Sequence, residues 1–254
     1  MIQALYFKDE KIEKFWFVET LDCEMMVNYG KIGTTGKYEI KEFDNNQDCE
    51  KEALKMINSK KKKGYEEFPE FDRNDHYYFD DEEYGLNPLT SHPTFRKYFS
   101  DEIYYDCGDE EAPFGSDEGH DAFSELEESV RKKKKINFFD FPRVIIEEIW
   151  EMDYLTPDLE KTDEELKTQA KLNYNGLPGE QIILQSDQVI LAVTFGQAKI
   201  TGKIDKDLLE LALKSLNRMD KLNRLIWKWD KEEATYYIET MRKDLIKYKE
   251  DFKN

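Results

Sequence analysis

The spacing of apolar residues changes along this 254-residue chain, and that change most limits what it can fold into. Four short aromatic and β-branched runs, separated by turn residues, occupy residues 5–8, 14–20, 25–29 and 37–43. Runs of this length and composition predict four antiparallel strands. From Asp48 the apolar residues take helical spacing, and a run of lysines followed by Gly64 predicts where that helix ends.

Beyond Ser91 the apolar residues recur at three- and four-residue steps, which predicts a series of amphipathic helices. Residues 187–201 are apolar nearly all round and predict a central buried helix, capped by Ser186 and ended by Gly202. The other helices are expected around Phe123, Leu126 and Val130; Val144, Ile145, Ile149 and Trp150; Leu208, Leu211, Ala212 and Leu216; Leu222, Leu225, Ile226 and Trp229; and Ile238, Met241, Leu245, Tyr248 and Phe252. One apolar stripe per helix predicts a packed bundle.

These patterns predict an α+β protein with a small antiparallel sheet and helix followed by a mainly α-helical domain. Residues 66–90 have no sustained period, contain Pro69, Gly85 and Pro88, and are rich in acidic and aromatic side chains. We therefore expect domains at residues 1–65 and 91–254, joined by an acidic aromatic linker at 66–90 that packs against its surroundings.

The net charge of −18 is confined to the middle of the chain. Residues 1–65 carry 12 basic and 12 acidic side chains, residues 131–254 carry 23 of each, and residues 66–130 carry three basic and 21 acidic ones. The overall acidity therefore does not exclude nucleic-acid binding by the first block. No apolar run approaches the roughly 18 residues that span a bilayer, so a cytoplasmic protein without membrane contact is expected. Its three widely spaced cysteines favour reduced thiols.

A glycine-rich turn, residues 29–36 (YGKIGTTG), connects two of the predicted strands. Its glycines allow a sharp turn and close backbone approach, but they lack the spacing of a P-loop and open no helix. The sequence KFWFVETLDCEMMVNYGKIGTTGKYEIKEF, followed by a helix ending in KKKKGY, resembles a WGR domain over about the first 65 residues. The Trp-Gly-Arg triplet that names the domain is Tyr29-Gly30-Lys31 here.

This resemblance implies contacts with nucleic acid or with a protein partner. The candidate residues are the turn and the lysine run at the helix end: Tyr29, Gly30, Lys31, Gly33, Gly36, Lys60, Lys61, Lys62 and Lys63. Tyr29 offers a stacking face and Lys31 a charge for phosphate. The alternative interpretation is structural, with Tyr29 as a strand-end aromatic and the lysines as solvated turn and helix-end charges.

The later segments HPTFRKYF, EAPFGSDEGHDAFSELEE and DQVILAVTFGQAKITGKIDKDLLELALKSLNR resemble the C-terminal domain of the YfeS-like family. Proteins of that family commonly carry a WGR domain in front, and the resemblance defines no activity. The FGSDEGHD turn and the distal helices are also similar to a family of immunity proteins of bacterial polymorphic toxins. The implied partner in that case is a basic protein.

The acidic turn has two interpretations. Asp117, Glu118 and Asp121 suit the positive end of a helix expected at 121–132, with Ser116 or Asp117 as its cap. Alternatively, these three carboxylates and Asp106 or Asp109 form a hard-cation site, although the spacing is not that of an EF-hand. The sequence favours capping.

No hydrolase, metalloprotease or Cys/His signature is present, so the sequence favours a binding protein with no catalytic residues and no cofactor. The leading hypothesis is a regulatory adaptor that uses residues 1–65 for nucleic-acid or protein contacts. An immunity or antitoxin-like protein that occludes a basic partner is the alternative, and a metal-dependent enzyme using a divalent cation is the weakest one. The sequence does not define the oligomeric state.

Overall fold

The computed structural model describes residues 1–228 and 231–252, without the side chains of 231–234. The chain forms two compact units, Met1–Pro93 and Thr94–Asn254, called here the N-terminal and C-terminal units. In the described residues, no helix combines the length and the apolarity needed to cross a bilayer.

The N-terminal unit is an antiparallel sheet with one long helix. Its strands are β1 (Ile2–Lys8), β2 (Glu13–Leu21), β3 (Glu24–Lys31), β4 (Lys37–Glu42) and the short β5 (Glu66–Glu67), in the order β4-β3-β2-β1-β5. Helix α1 (Asn46–Lys62) begins after Asn45, whose side chain accepts a hydrogen bond from the backbone N–H of Asp48. The four predicted strands and the helix after them are confirmed.

Both faces of this sheet are covered. On one face, α1 packs against Leu5, Trp16, Val18, Met25 and Val27 through Cys49, Ala53 and Ile57. On the other face, residues 66–92 place aromatic rings on the strands: the ring of Phe71 stacks on that of Phe15 and lies tilted against that of Phe17. Because both faces are buried, the strands carry continuous apolar runs such as FWFV instead of alternating polar and apolar residues. The residues predicted to form a linker thus lie within the N-terminal unit.

The C-terminal unit is mainly helical, as predicted. Its helices are α2 (Pro93–Tyr98), which begins at the boundary, α3 (Asp117–Arg131), α4 (Phe141–Arg143), α5 (Asp163–Ala170), α6 (Gly179–Thr201), α7 (Lys206–Leu222) and α8 (Lys231–Asp251). Helix α4 continues into a π-helical segment, Val144–Ile149, and a second π-helical segment, Asn223–Trp227, follows α7. A short 3₁₀ turn lies at Glu102–Tyr104, and a two-stranded hairpin joins β6 (Asn173–Tyr174) to β7 (Leu177–Pro178); a further 3₁₀ turn, Pro88–Thr90, belongs to the N-terminal unit.

Helix α6 is the buried centre of this unit and packs against both α3 and α7. It ends as predicted at Gly202, which has a left-handed φ of 71°. Its predicted start at 187 is wrong, because the helix begins at Gly179. Ser186 therefore does not cap it; its hydroxyl lies inside the helix, donates to the carbonyl of Ile182 and accepts from the N–H of Leu155.

Three other boundaries differ from the sequence prediction. Helix α3 begins at Asp117 and not at 121, because Ser116 supplies the capping oxygen to the N–H of Gly119. The helix expected around Leu222 and Leu225 is the end of α7 and the π-helical segment after it, while Trp229 lies outside the described residues. Helix α5, which has a capping box at Thr162, was not predicted.

Candidate nucleic-acid interface

One end of the N-terminal sheet gathers lysine and aromatic side chains. The strand register pairs Lys14 with Lys31 and, two residues along, Trp16 with Tyr29. Because side chains at alternate positions share a face, all four lie on the face covered by α1. The last turn of α1 and the residues after it bring the remaining members to the same place. We call this set the lysine-aromatic patch: Lys14, Lys31, Lys60, Lys63, Trp16, Tyr29 and Tyr65.

Lys60 is the centre of the patch. Its ammonium nitrogen lies 5.2 Å from the ring centroid of Tyr65, 5.6 Å from that of Trp16 and 5.8 Å from that of Tyr29. These distances are typical of cation–π contacts, which hold the ammonium group by attraction to the ring faces. The aromatic rings thus fix the position of a charge without neutralising it.

The four lysines give the patch a net positive charge, although Glu39 lies close enough to act on Lys60. Among the described residues, none of its four lysines forms an ion pair. Burial lowers the pKa of Lys60, and the nearby positive charges of Lys63 and Lys14 lower it further, while the carboxylate of Glu39 opposes them. An anion placed among them would relieve this repulsion.

Tyr29 has a partner of its own. Its hydroxyl donates a 2.7 Å hydrogen bond to Glu39, which also accepts from Lys37 at 3.1 Å. The bond to Glu39, together with burial, raises the pKa of Tyr29, and the same bond lowers the pKa of Glu39. The ring of Tyr29 is half-buried beside Lys60. Tyr29 thus lies near the end of β3, with its hydroxyl bonded to Glu39 and its ring beside Lys60. A role of this ring in stacking on nucleic acid stays a prediction.

The glycines of the turn serve backbone geometry. Gly36 has a φ of 74°, and a Cβ there would lie 2.7 Å from the ring of Phe15 and 2.9 Å from the carbonyl oxygen of Tyr29. A Cβ at Gly30 would lie 2.9 Å from the Cα of Gly36. Gly33 has a φ of 81° but open space around it. Gly30 and Gly36 therefore allow the backbone of the turn to approach Phe15 and itself closely.

The lysine run divides between different surfaces. Lys60 faces the sheet, and Lys63 is the residue at which α1 ends. Lys61 pairs with Glu67, and Lys62 lines a shallow groove on the outer face of α1 with Lys51 and Lys55. Of this run, only Lys60 and Lys63 belong to the patch, where the charges of Lys63 and Lys14 act on Lys60.

The acidic turn lies in the C-terminal unit, at the start of α3. Asp117 and Glu118 occupy its first turn, and Asp121 lies in the next. The positive end of the helix dipole stabilises carboxylates at this end of the helix. Asp106 accepts backbone hydrogen bonds from Gly108 and Asp109, as in a loop fixed by its own side chain. Across the described residues, no three His, Cys, Asp or Glu side chains are grouped so that they could hold a metal ion.

The three histidines of the chain lie in different surroundings. His92 is buried in the N-terminal unit, where its Nε2 lies 2.9 Å from the carbonyl oxygen of Asn74. His120 is exposed on α3 in the C-terminal unit. His76 packs under the sheet, 2.9 Å from the side-chain oxygen of Asn28.

Sequence reasoning missed four members of this interface: Lys14, Trp16, Tyr65 and Glu39. The strand pairing that joins Trp16 to Tyr29 links residues 13 positions apart, so no local pattern contains it. The helical period does contain a signal for Lys60, because it follows Ala53 and Ile57 on the buried stripe of α1. The sequence also missed a buried ion pair in which Arg218 donates two 2.9 Å hydrogen bonds to Asp187.

Comparison with known proteins agrees with this architecture. The family model named WGR domain matches residues 1–72. The chain is 42% identical over 248 residues to "Uncharacterized protein YfeS" of Escherichia coli (strain K12), covering 98% of each protein. It is also 43% identical over 61 residues to "Protein YehF" of the same organism, covering 24% of this chain and 22% of YehF.

One solved structure, a crystal structure of a Bacteroides fragilis protein, aligns with 41% of this chain and 31% of its own at 29% identity. Its TM-score of 0.27 is too low to support an argument about the fold.

Proposed function

Because the chain belongs to the YfeS family and begins with a WGR domain, we propose that it is a non-enzymatic adaptor whose lysine-aromatic patch binds nucleic acid. The observation that carries this proposal is Lys60 held over three aromatic rings at the end of the sheet that also carries Lys14, Lys31 and Lys63, with none of the four in an ion pair among the described residues. A cytoplasmic location belongs to the proposal. A regulatory role belongs to the proposal as well.

The chemistry of the patch favours contact with the phosphate backbone. Lysine ammonium groups act as point charges and attract phosphates without reading base edges. Trp16 is 1% exposed, so its ring supports Lys60 from below and is not a surface for stacking bases. The proposal therefore specifies weak binding that depends on salt and not on base sequence.

Salt dependence gives the proposal a number. Each phosphate neutralised by a lysine contributes about −0.9 to the slope of log K against log salt on duplex DNA. Four lysines in the patch set a limit of about −3.6, and we expect a slope between about −2 and about −3.6.

The experiment measures binding of the full chain to a short fluorescent duplex by anisotropy, at several salt concentrations. The test variant is Lys14→Gln with Lys31→Gln, and we expect its slope to become shallower by about 2. The matched control is Lys51→Gln with Lys62→Gln, which removes the same charge from the outer face of α1 and should leave the slope unchanged. No binding at low salt, or equal losses in both variants, would contradict the proposal.

A second candidate function concerns the acidic middle of the chain. Residues 101–130 contain 12 acidic side chains and no Lys or Arg. Such a surface attracts a basic protein at long range, as an immunity or antitoxin-like protein would attract a toxin. The test is affinity purification with the full chain and with a variant carrying Asp117→Asn, Glu118→Gln and Asp121→Asn. An unchanged set of basic partners would argue against this candidate.

A further inference from the structure

A basic segment lies where α3 ends in the C-terminal unit. Arg131 is the last residue of α3, and four lysines, residues 132–135, follow it. We call residues 131–139 (RKKKKINFF) the basic loop. All five of its basic residues are exposed, and it contains no acidic residue. We propose that the basic loop binds single-stranded nucleic acid, with its lysines on the phosphates and Phe139 on a base.

The positive charge of the loop is balanced only in part by its neighbours. Lys132 pairs with Glu128, one turn earlier on α3. That bond lowers the pKa of Glu128, and the charge of Lys134 lowers it further. Lys134 and Lys135 form no ion pair with a described residue. A phosphate at the loop would therefore meet two ammonium groups that have no carboxylate in contact.

Backbone hydrogen bonds fix the first part of the loop. The N–H groups of Lys133 and Lys134 donate to the carbonyls of Val130 and Ser129, and these bonds close the end of α3. Lys133 has a left-handed φ of 53°, at a position where glycine is the usual residue. The sequence thus keeps a charged side chain where the backbone favours glycine. The lysines leave the helix along a fixed path and are exposed on it.

Phe139 is an independent feature that points to a base. Of the sixteen phenylalanines, only Phe139 and Phe252 are exposed. The ring of Phe252 packs against Tyr98 and Tyr248, whereas that of Phe139 has no aromatic partner in the described part of the chain. Proteins that bind single strands combine basic side chains with exposed rings, because every base has a face that stacks on a ring. The Cα atoms of Lys135 and Phe139 are at most about 14 Å apart, so one short strand can contact both.

Two other anionic partners fit the loop less well. The bases of a duplex are already stacked on one another, so an exposed ring gains no base there. An anionic membrane surface extends well beyond the loop, and residues 101–130 of the same unit carry 12 acidic and no basic side chains. Such a surface would repel those carboxylates. A single strand is narrow enough to follow the basic loop alone.

The experiment measures binding of the full chain to a fluorescent oligothymidine of about 20 nucleotides, by anisotropy at several salt concentrations. Lys134→Gln with Lys135→Gln should weaken binding by about tenfold at low salt and make the salt slope shallower by about 1.4, since each phosphate contact on a single strand contributes about 0.7. Phe139→Ser should weaken binding by about fivefold without changing the slope, because it removes a ring and no charge. Phe139→Tyr, which keeps the ring, should bind within about twofold of the wild type.

The matched control is Lys203→Gln with Lys206→Gln, which removes the same charge from exposed positions at and just before the start of α7. It should leave the affinity for oligothymidine within about twofold. Lys133→Gly separates binding from stability, because it places the usual residue at the end of α3. This variant should bind about threefold more weakly, while its melting temperature does not fall.

Amide chemical shifts locate the site. Oligothymidine should shift residues 131–139 in the wild type and equally in the variant with Lys14→Gln and Lys31→Gln, since the inference does not rest on the lysine-aromatic patch. Three results would overturn it: no shifts at residues 131–139, equal loss of affinity in the loop variant and the control, or binding by Phe139→Tyr as weak as that by Phe139→Ser. Binding of phosphatidylglycerol vesicles through the loop lysines, without binding of oligothymidine, would also overturn it. Binding to the duplex tests the lysine-aromatic patch separately, so the failure of one proposal is distinguishable from that of the other.

Discussion

Acidification should loosen the N-terminal unit, because a histidine is held uncharged beneath its sheet. The imidazole of His76 lies among aromatic rings, 5.4 Å from the centroid of Phe15 and 5.3 Å from that of Phe71, and its Nε2 lies 2.9 Å from Asn28. Burial lowers the pKa of His76 from 6.5 to about 4; the backbone of Thr35 opposes this shift and His92 adds to it. The neutral ring is therefore the form that the folded unit accepts.

The sign of the effect follows from proton binding. In the unfolded chain His76 takes up a proton as the pH falls through about 6.5, whereas the folded unit takes it up only near pH 4. The stabilisation is complete above pH 6.5 and is lost as the pH falls toward 4. For the full shift, lowering the pH from 7 to 5 would cost about 2 kcal/mol. Because the ring is not completely enclosed, we expect about 1–2 kcal/mol.

Urea titrations at pH 7 and pH 5, followed by amide resonances of the sheet strands, measure this loss. His76→Gln keeps a polar side chain that does not titrate, and it should reduce the pH dependence by about 1–2 kcal/mol. His120→Gln, at an exposed position in the C-terminal unit, should leave the sheet resonances unchanged and serves as the control. A directly measured midpoint for the His76 imidazole near 6.5 would refute the reasoning, whatever the urea result.

Three further predictions concern stability. Gly36→Ala should destabilise the N-terminal unit by about 2–4 kcal/mol in urea titration, because its Cβ would clash with Phe15 in addition to straining the backbone. Gly33→Ala, which strains the backbone without a clash, should cost about 1 kcal/mol, and equal losses would contradict this. Arg218→Met should lower the free energy of unfolding by about 3–5 kcal/mol, because it leaves Asp187 buried without its ion-pair partner. Adding Asp187→Leu should restore most of that stability, which a double-mutant cycle measures. Burial and the negative charges of Asp109 and Glu110 raise the pKa of Glu111 to about 7, so its contribution to stability is present below pH 4.5 and is lost as the pH rises through 7. Glu111→Gln should therefore stabilise the C-terminal unit at pH 8 by about 1–2 kcal/mol. An unchanged melting profile would exclude this.

Local patterns in the sequence were sufficient for much of the fold. The aromatic and β-branched runs predicted β1 to β4, and the helical spacing after Asp48 predicted α1. Gly202 predicted the end of α6, because a left-handed residue closes a helix with little strain when it is glycine. Each of these features depends on neighbours within about one turn or one strand, which is the range that a local pattern covers.

Hydrogen-bonding residues gave weaker information about boundaries. Ser116 caps α3, whereas Ser186, also a plausible cap, lies in the interior of α6 and bonds to the carbonyl four residues before it. A serine hydroxyl can accept from a free N–H or donate to a helical carbonyl, so its residue type does not decide between the two. The first turns of α6 also carry glutamines toward a cleft, which interrupts the apolar pattern that marks the rest of the helix.

The candidate sites show the same division. The sequence alone determined that the chain begins with a WGR-like module and that its negative charge lies in the middle. Only the tertiary structure decided that Lys60, and not Lys61 or Lys62, lies on the rings of Trp16, Tyr29 and Tyr65, and that residues 66–92 cover the second face of the sheet. The physical reason is that helix and strand formation follow from local periodicity, whereas the burial of a charge or a ring depends on partners brought together across the chain.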